Sequence, residues 1–249
     1  MFVLFTDFGL AGPYIGQLKA ALFKAAPTVP VMDLFSDAPA HNPYASAYLL
    51  AAYYLAMPDN AVYVTVVDPG VGGDRKALVV KVGGRYFVGP DNGLFELILR
   101  RTNETVECWE IIWRPEHLSS SFHGRDLFAP VAADLVSNQH ILSDRARFTP
   151  LEISNIRYPE WPDHLPEIVY IDHYGNALTG IRSNHLKSNC ILGFNGKKIA
   201  AAETFSGVAR GDAFYYGNSN GLIEIAVNQG RASEHLDMKI GDKIDIISV

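Results

Sequence analysis

The chain has 249 residues, 48% of them hydrophobic and 19% charged, with a formal net charge of −6. This is globular composition at a length that suits one large domain or two unequal ones, and without a basic stripe it argues against a nucleic-acid partner. Two distant cysteines, Cys108 and Cys190, fit a reducing cytoplasm better than a disulfide frame or a zinc site.

In chain order, residues 2–6 (FVLFT) form a short apolar run ending in Asp-Phe-Gly. Asp7 inside this first stretch, with no positive n-region, argues against a signal peptide. Residues 13–25 show helical spacing, with Tyr14, Leu18, Leu22 and Ala25 on one face. Residues 29–35 predict a second strand, 43–57 a helix opened by Pro43, and 61–67 (AVYVTVV) a third strand. The apolar run from Ala47 to Met57 is too short to span a membrane. Alternating strands and helices imply parallel pairing with right-handed crossovers, and continuous apolar strands suit a sheet covered on both faces.

The pattern then changes. Residues 77–82 and 85–88 flank Gly83-Gly84, a hairpin signal. A turn follows at Pro90-Asp91-Asn92-Gly93, then a short helix at 94–101, a strand at 106–112 and a helix at 126–137. Prolines cluster at Pro150, Pro159, Pro162 and Pro166, as in a linker. Beyond them come short runs at 167–171, 177–181, 190–194, 213–216, 222–227 and 243–248, several separated by turns such as Asn195-Gly196 and Asn220-Gly221. The expected fold is therefore α/β: a Rossmann-like domain over 1–158 with a mostly parallel sheet, and a smaller antiparallel β-barrel-like domain over 166–249.

Ligands of open α/β sheets bind beyond the carboxyl ends of the strands. Asp7 follows the first strand and Asp68 the third; Asp33, flanked by apolar residues, reads as structural. Asp68-Pro69-Gly70-Val71-Gly72-Gly73-Asp74-Arg75 is not a phosphate loop, because the strand-like ALVVKV follows instead of a helix. It reads either as a turn bringing Asp68 and Arg75 together or as a plain surface turn. His123, in Ser121-Phe122-His123-Gly124-Arg125-Asp126, is a base, a ligand or a structural residue. A metal on Asp7, Asp68 and His123 is not expected, since no HxH, HxxxH or HxD spacing accompanies it. Asp172-His173-Tyr174-Gly175-Asn176, Thr204-Phe205 and Tyr215 to Gly221 each read as strand-and-turn or as polar and aromatic ligand contacts.

Taken together, these motifs resemble a known family, the S-adenosyl-L-methionine hydroxide adenosyltransferases, relatives of fluorinases and chlorinases. The resemblance covers nearly the whole chain. It rests on Thr6-Asp7-Phe8-Gly9, Val67-Asp68-Pro69-Gly70-Val71-Gly72 with Arg75, Gly89-Pro90-Asp91-Asn92-Gly93, Phe122-His123-Gly124-Arg125-Asp126, Asp172-His173-Tyr174-Gly175-Asn176 and Asn218-Ser219-Asn220-Gly221. Tyr174 departs from the Phe common in relatives but keeps an aromatic face.

The resemblance implies that Asp68, Arg75 and His123 orient and activate a water or hydroxide. Asp7, with Phe8, would bind the ribose end. Asp172, Tyr174, Asn176 and Ser219 would hold the methionine end and approach the adenine, Phe205 would stack on the adenine, and Val227 to Gln229 would contact the purine edge. The halogenases carry an aromatic residue at the position of Asp68 and an inserted loop, so the acidic residue here favours water over halide. The resemblance further implies a homotrimer, with each site between the first domain of one subunit and the second of its neighbour, and, as in some relatives, a preference for the (R)-sulfonium epimer. S-adenosyl-L-methionine would be the substrate, with no cofactor or metal. The alternatives are a halide adenosyltransferase, a non-catalytic binder of adenosine or S-adenosyl-L-methionine, and a metal-dependent nucleotide hydrolase.

Overall fold

A computed structural model describes residues 1–187 and 190–247. The chain forms two compact units, Met1–Tyr158 and Pro159–Val249.

The first unit opens with β1 (Phe2–Thr6), α1 (Tyr14–Ala25), β2 (Val31–Phe35), α2 (Pro43–Tyr53) and β3 (Val62–Val66). Asn42 caps α2 by accepting from the Ala45 N–H, and Pro43 occupies the first turn, where no intrahelical donor is lost. β4 (Ala77–Val82), β5 (Arg85–Pro90), α3 (Glu96–Arg101), β6 (Val106–Ile111), α4 (Ala129–Ser137) and β7 (Phe148–Pro150) complete the unit. A π-helical turn, Gly124–Phe128, leads into α4.

These strands form one sheet in the order β2-β1-β3-β5-β4-β6-β7. Both faces are covered, as continuous apolar strands require. Leu4, Val64 and Val88 face Leu18 and Leu22 of α1 and the apolar side of α4. On alternate positions, Tyr63 stacks on Phe87, which packs edge-on against Tyr54 just beyond α2.

The sheet is not mostly parallel, which corrects the sequence-based expectation. Pairs β1–β2, β1–β3 and β3–β5 are parallel, whereas β4–β5, β4–β6 and β6–β7 are antiparallel. The cause is local: Val82 pairs with Arg85 across Gly83-Gly84, and a two-residue loop permits only antiparallel neighbours. β7 carries no alternating apolar pattern and was not expected.

The end of this unit is tied down by Glu96. Its buried carboxylate accepts from Arg100, from both Arg157 Nε and Nη2, and from the Tyr158 N–H.

The second unit contains β8 (Leu165–Ile171), β9 (Ala177–Arg182), β10 (Ile191–Phe194), β11 (Lys197–Ala201), β12 (Ala213–Gly217), β13 (Leu222–Val227), a short helix α5 (Ala232–His235) and β14 (Asp245–Ile247). Residue 248, the last of the expected final strand, lies outside the described residues. The strand order is β14-β10-β11-β12-β13-β9-β8, antiparallel except for β11–β12. Ile168 exchanges backbone hydrogen bonds with the 241–242 segment, and Glu167 bridges Lys243 just before β14. The sheet therefore curls until its two edge strands are linked, around a core that includes Ile168, Leu192, Phe194, Ile223 and Ile225.

Candidate active site

β1 lies between β2 and β3, so the chain leaves it first to one side and then to the other. This reversal leaves a crevice beyond the carboxyl ends of β1 and β3, where α/β sheets bind ligands. Asp7 follows β1 and Asp68 follows β3. Both line a cavity of about 530 Å³, with Phe8 and His123 also on its wall.

Asp68 and Arg75 meet because the turn between β3 and β4 folds back on itself. Val71 N–H donates to the Asp68 carbonyl and Gly73 N–H to that of Gly70. Arg75 Nε reaches the two Asp68 oxygens at 3.0 and 2.9 Å, and Nη2 binds Oδ2 as well. The Asp68 side chain is 3% exposed, so the pair is largely removed from solvent. Arg75 stands behind Asp68 rather than on the cavity wall, its guanidinium 5.4 Å from the Phe128 ring centroid.

His123 arrives from a distant segment. Gly72 has φ +80, and a Cβ there would fall 2.3 Å from the Ser120 carbonyl oxygen. Only glycine lets the two backbones approach this closely. The second segment is held by Asp126, which accepts from the Ser119 N–H at 3.0 Å and is gripped by Arg125. Arg75 Nη2 then lies 3.1 Å from His123 Nδ1. A guanidinium can only donate, so Nδ1 is the acceptor and the neutral ring carries its proton on Nε2. Burial, then the Arg75 charge, holds the His123 pKa below its ordinary value, with Asp68 pulling the other way.

Asp7 accepts from the His41 N–H at 2.9 Å, with His41 in the left-handed region at φ 57. Burial pushes the Asp7 carboxyl above its ordinary pKa, and the His41 and Asp7 N–H groups partly offset this. Phe8, Tyr14 and Phe122 form an aromatic cluster beside it, with Phe122 edge-to-face to the other two.

The second unit has its own cavity, of about 660 Å³, lined by Asp172, Tyr174, Asn176, Phe205, Val227 and Gln229. Asp172 and Asn176 close the turn between β8 and β9: Asn176 N–H and Nδ2 donate to the carboxylate at 2.8 and 3.3 Å. Tyr174 is 72% and Phe205 38% exposed, unusual for aromatic rings of this size. Ser219 sits in the exposed turn after β12, off that wall.

Several wall residues had no clear sequence signal. His41 and Gln17 line the first cavity, and Glu224 and Arg231 the second. Glu224 alone was legible in retrospect: it is a carboxylate inside the apolar run LIEIAV, and it is buried as acceptor for Tyr216 Oη and Asn218 Nδ2. Among the described residues, no group of three or more His, Cys, Asp or Glu side chains is placed to hold a metal ion, and no helix is long and apolar enough to cross a membrane.

Comparison with known proteins finds a match for each unit. Residues 2–143 match the model for the SAM hydroxide adenosyltransferase N-terminal domain, and residues 166–245 the one for its C-terminal domain. A protein of Salinispora arenicola named (R)-S-adenosyl-L-methionine hydrolase is 33% identical over 251 residues, covering 97% of this chain and 95% of its own. One of the same name from Thermus thermophilus is 33% identical over 255 residues, covering 97% of each. The crystal structure of an uncharacterized conserved protein from Thermotoga maritima superposes with a TM-score of 0.83 at 32% identity, covering 100% of both chains. With both domain models matched in order along nearly the whole sequence, the chain belongs to the SAM hydroxide adenosyltransferase family.

Proposed function

We propose that this protein hydrolyses S-adenosyl-L-methionine, with attack of water at the ribose C5′. The new C5′–O bond forms as the C5′–S bond breaks; the sulfonium leaves as the neutral thioether of methionine, and one proton goes to solvent. The observation that carries the reading is the Asp68–Arg75–His123 cluster at a nucleoside-sized cavity, in a chain whose relatives are named as hydrolases of this compound.

The leaving group needs no general acid, so the demand falls on the nucleophile. Free water has a pKa of about 15.7 and must be oriented and stabilised as it loses its proton. Asp68 accepts a hydrogen bond from that water. A guanidinium donates hydrogen bonds without surrendering a proton, and from behind the carboxylate Arg75 offsets the charge. His123 Nδ1 is already engaged by Arg75, which favours a positioning role over that of base. Holding water and carbon in line supplies roughly 7–11 kcal/mol of barrier reduction.

Asp7 is the acceptor for the ribose hydroxyls, with Phe8 beside it. In the second unit, Asp172 and Asn176 take the methionine end, with Ser219 reaching toward it from the exposed turn after β12; Tyr174 and Phe205 supply aromatic faces, and Val227 and Gln229 the purine edge. No cofactor or metal takes part. The (R)-sulfonium epimer, named in the relatives, is the preferred substrate, and a homotrimer in a cytoplasmic setting is the expected assembly; sedimentation or light scattering tests the trimer.

Liquid chromatography of the purified protein with each epimer tests the function. Adenosine and methionine in equal amounts support it. A 5′-halo-adenosine in chloride or fluoride would indicate a halide adenosyltransferase. Bound adenosine with no product over hours would indicate a binding module, and loss of activity with a chelator a metal-dependent hydrolase.

A further inference from the structure

We propose that Asn92 is a positioning residue for the nucleophile-activating pair, its side-chain amide anchoring the Val67 carbonyl and so fixing the peptide that carries Asp68 against Arg75. The proposal rests on the hydrolase reading given above.

The argument starts from topology. β5 lies between β3 and β4 in the sheet, yet the chain runs from β3 directly to β4. The Asp68–Arg75 turn must therefore arch over the end of β5. The residues that emerge from β5 are Asp91 and Asn92, and they hold the arch at both feet. Asn92 Nδ2 donates to the Val67 carbonyl at 2.8 Å, one residue before Asp68. Asp91 N–H donates to the Lys76 carbonyl at 3.0 Å, one residue after Arg75.

The β3–β5 ladder ends at the pair Val64–Val88. Val67 is fully buried beyond that point, and a buried carbonyl needs a partner. Asn92 replaces the missing ladder bond with a side chain. Its other atom is also used, Oδ1 accepting from the Leu94 N–H at 3.4 Å. Only a carboxamide donates and accepts at once here; aspartate would turn an acceptor toward the Val67 oxygen. Gly89 completes the arrangement, because a Cβ there would stand 2.3 Å from the Thr65 carbonyl oxygen and force β5 away from β3.

The test is the near-isosteric variant Asn92→Asp, with Asn92→Ala as a second that deletes the amide without adding charge. Two readouts are taken: the NMR signal of the Arg75 Nε–H, assigned by its loss in Arg75→Lys, and steady-state kinetics with the (R)-epimer. The expected result is a shifted, faster-exchanging Arg75 signal and a fall in kcat of at least about tenfold, with KM and adenosine Kd within about threefold. A purely structural loss is controlled by Tyr63→Phe, which removes a buried hydrogen bond to the Tyr54 carbonyl elsewhere in the sheet and leaves kcat and the Arg75 signal at wild-type values.

Either readout unchanged in a folded Asn92 variant of an active enzyme overturns the proposal. If the wild-type protein hydrolyses neither epimer, the functional reading fails, and the Arg75 signal alone decides whether Asn92 holds the pair.

Discussion

Arg75 Nη2 donates to His123 Nδ1 across 3.1 Å of space and 48 residues of sequence. The contact links the glycine turn after β3 to the segment before α4, and it requires a neutral imidazole. Protonating His123 would set two cations against each other and release the arginine.

The pH dependence follows from that requirement. The folded-state pKa of His123 lies below its unfolded value, because burial and Arg75 both oppose the imidazolium. Activity should be full above that depressed pKa and fall as pH drops through it. Stability follows the same sign: as pH falls below the unfolded value of about 6.5, the unfolded chain takes up a proton the native one refuses, and the fold weakens until the native ring also protonates. A kcat/KM profile of the wild type and His123→Gln is the check, the variant losing this acid limb.

Asp68→Ala and Arg75→Ala should each lower turnover by at least about tenfold, some 1.4 kcal/mol, with adenosine binding largely kept. Arg75→Ala should also lower the melting temperature, since it leaves a buried carboxylate without its partner. Wild-type turnover in both variants would remove these residues from the mechanism.

Asp7→Ala should weaken adenosine binding by about 1–3 kcal/mol, because a buried ribose diol would lose its acceptor. Isothermal calorimetry with adenosine is the measurement, and an unchanged Kd would contradict the role.

Gly72→Ala tests the close approach that brings His123 to Arg75. Strain at positive φ costs about 1–3 kcal/mol, and here the new Cβ also meets the Ser120 oxygen. Gly241→Ala carries similar strain at φ +93 with nothing within 4 Å. Both variants should melt earlier; Gly72→Ala alone should lose most of its kcat.

Glu96→Gln should destabilise the first unit by about 1.5–3 kcal/mol, because the partly exposed Arg157 and Arg100 would lose their charged partner. Turnover per folded molecule should stay at the wild-type level. Burial alone would raise the Glu96 pKa, but Arg157, the Tyr158 N–H and Arg100 outweigh it and hold it low. This contribution is therefore present near neutrality and fades as pH falls through the carboxylate range, which acid-unfolding of wild type and variant would reveal.

Much of this was legible in the sequence where local rules dominate. The apolar runs of β1 and β3, the Pro43 helix start and the Gly83-Gly84 hairpin all follow from nearest-neighbour chemistry. The mixed sheet was legible only in part: the Gly83-Gly84 hairpin demands an antiparallel β4–β5 pair, but nothing in residues 106–111 or 148–150 says that β6 joins β4 or that β7 joins β6. β11, with its KKIAA sequence and one buried side chain, has too little alternation to stand out. At the site, the motif residues were visible as short strings, but spacing left their meeting undecided. The contact between Arg75 and His123 depends on Gly72 passing Ser120, a tertiary event with no local signature. His41 reaches Asp7 through its backbone N–H, and its side-chain identity carries no trace of that bond.

The most direct test of the central claim is hydrolysis of the (R)-epimer in ¹⁸O-enriched water, with mass spectrometry of the products. Attack by solvent at C5′ places one heavy oxygen in the adenosine 5′-hydroxyl and none in methionine. Adenosine released without the label, or no adenosine from either epimer, would contradict the account.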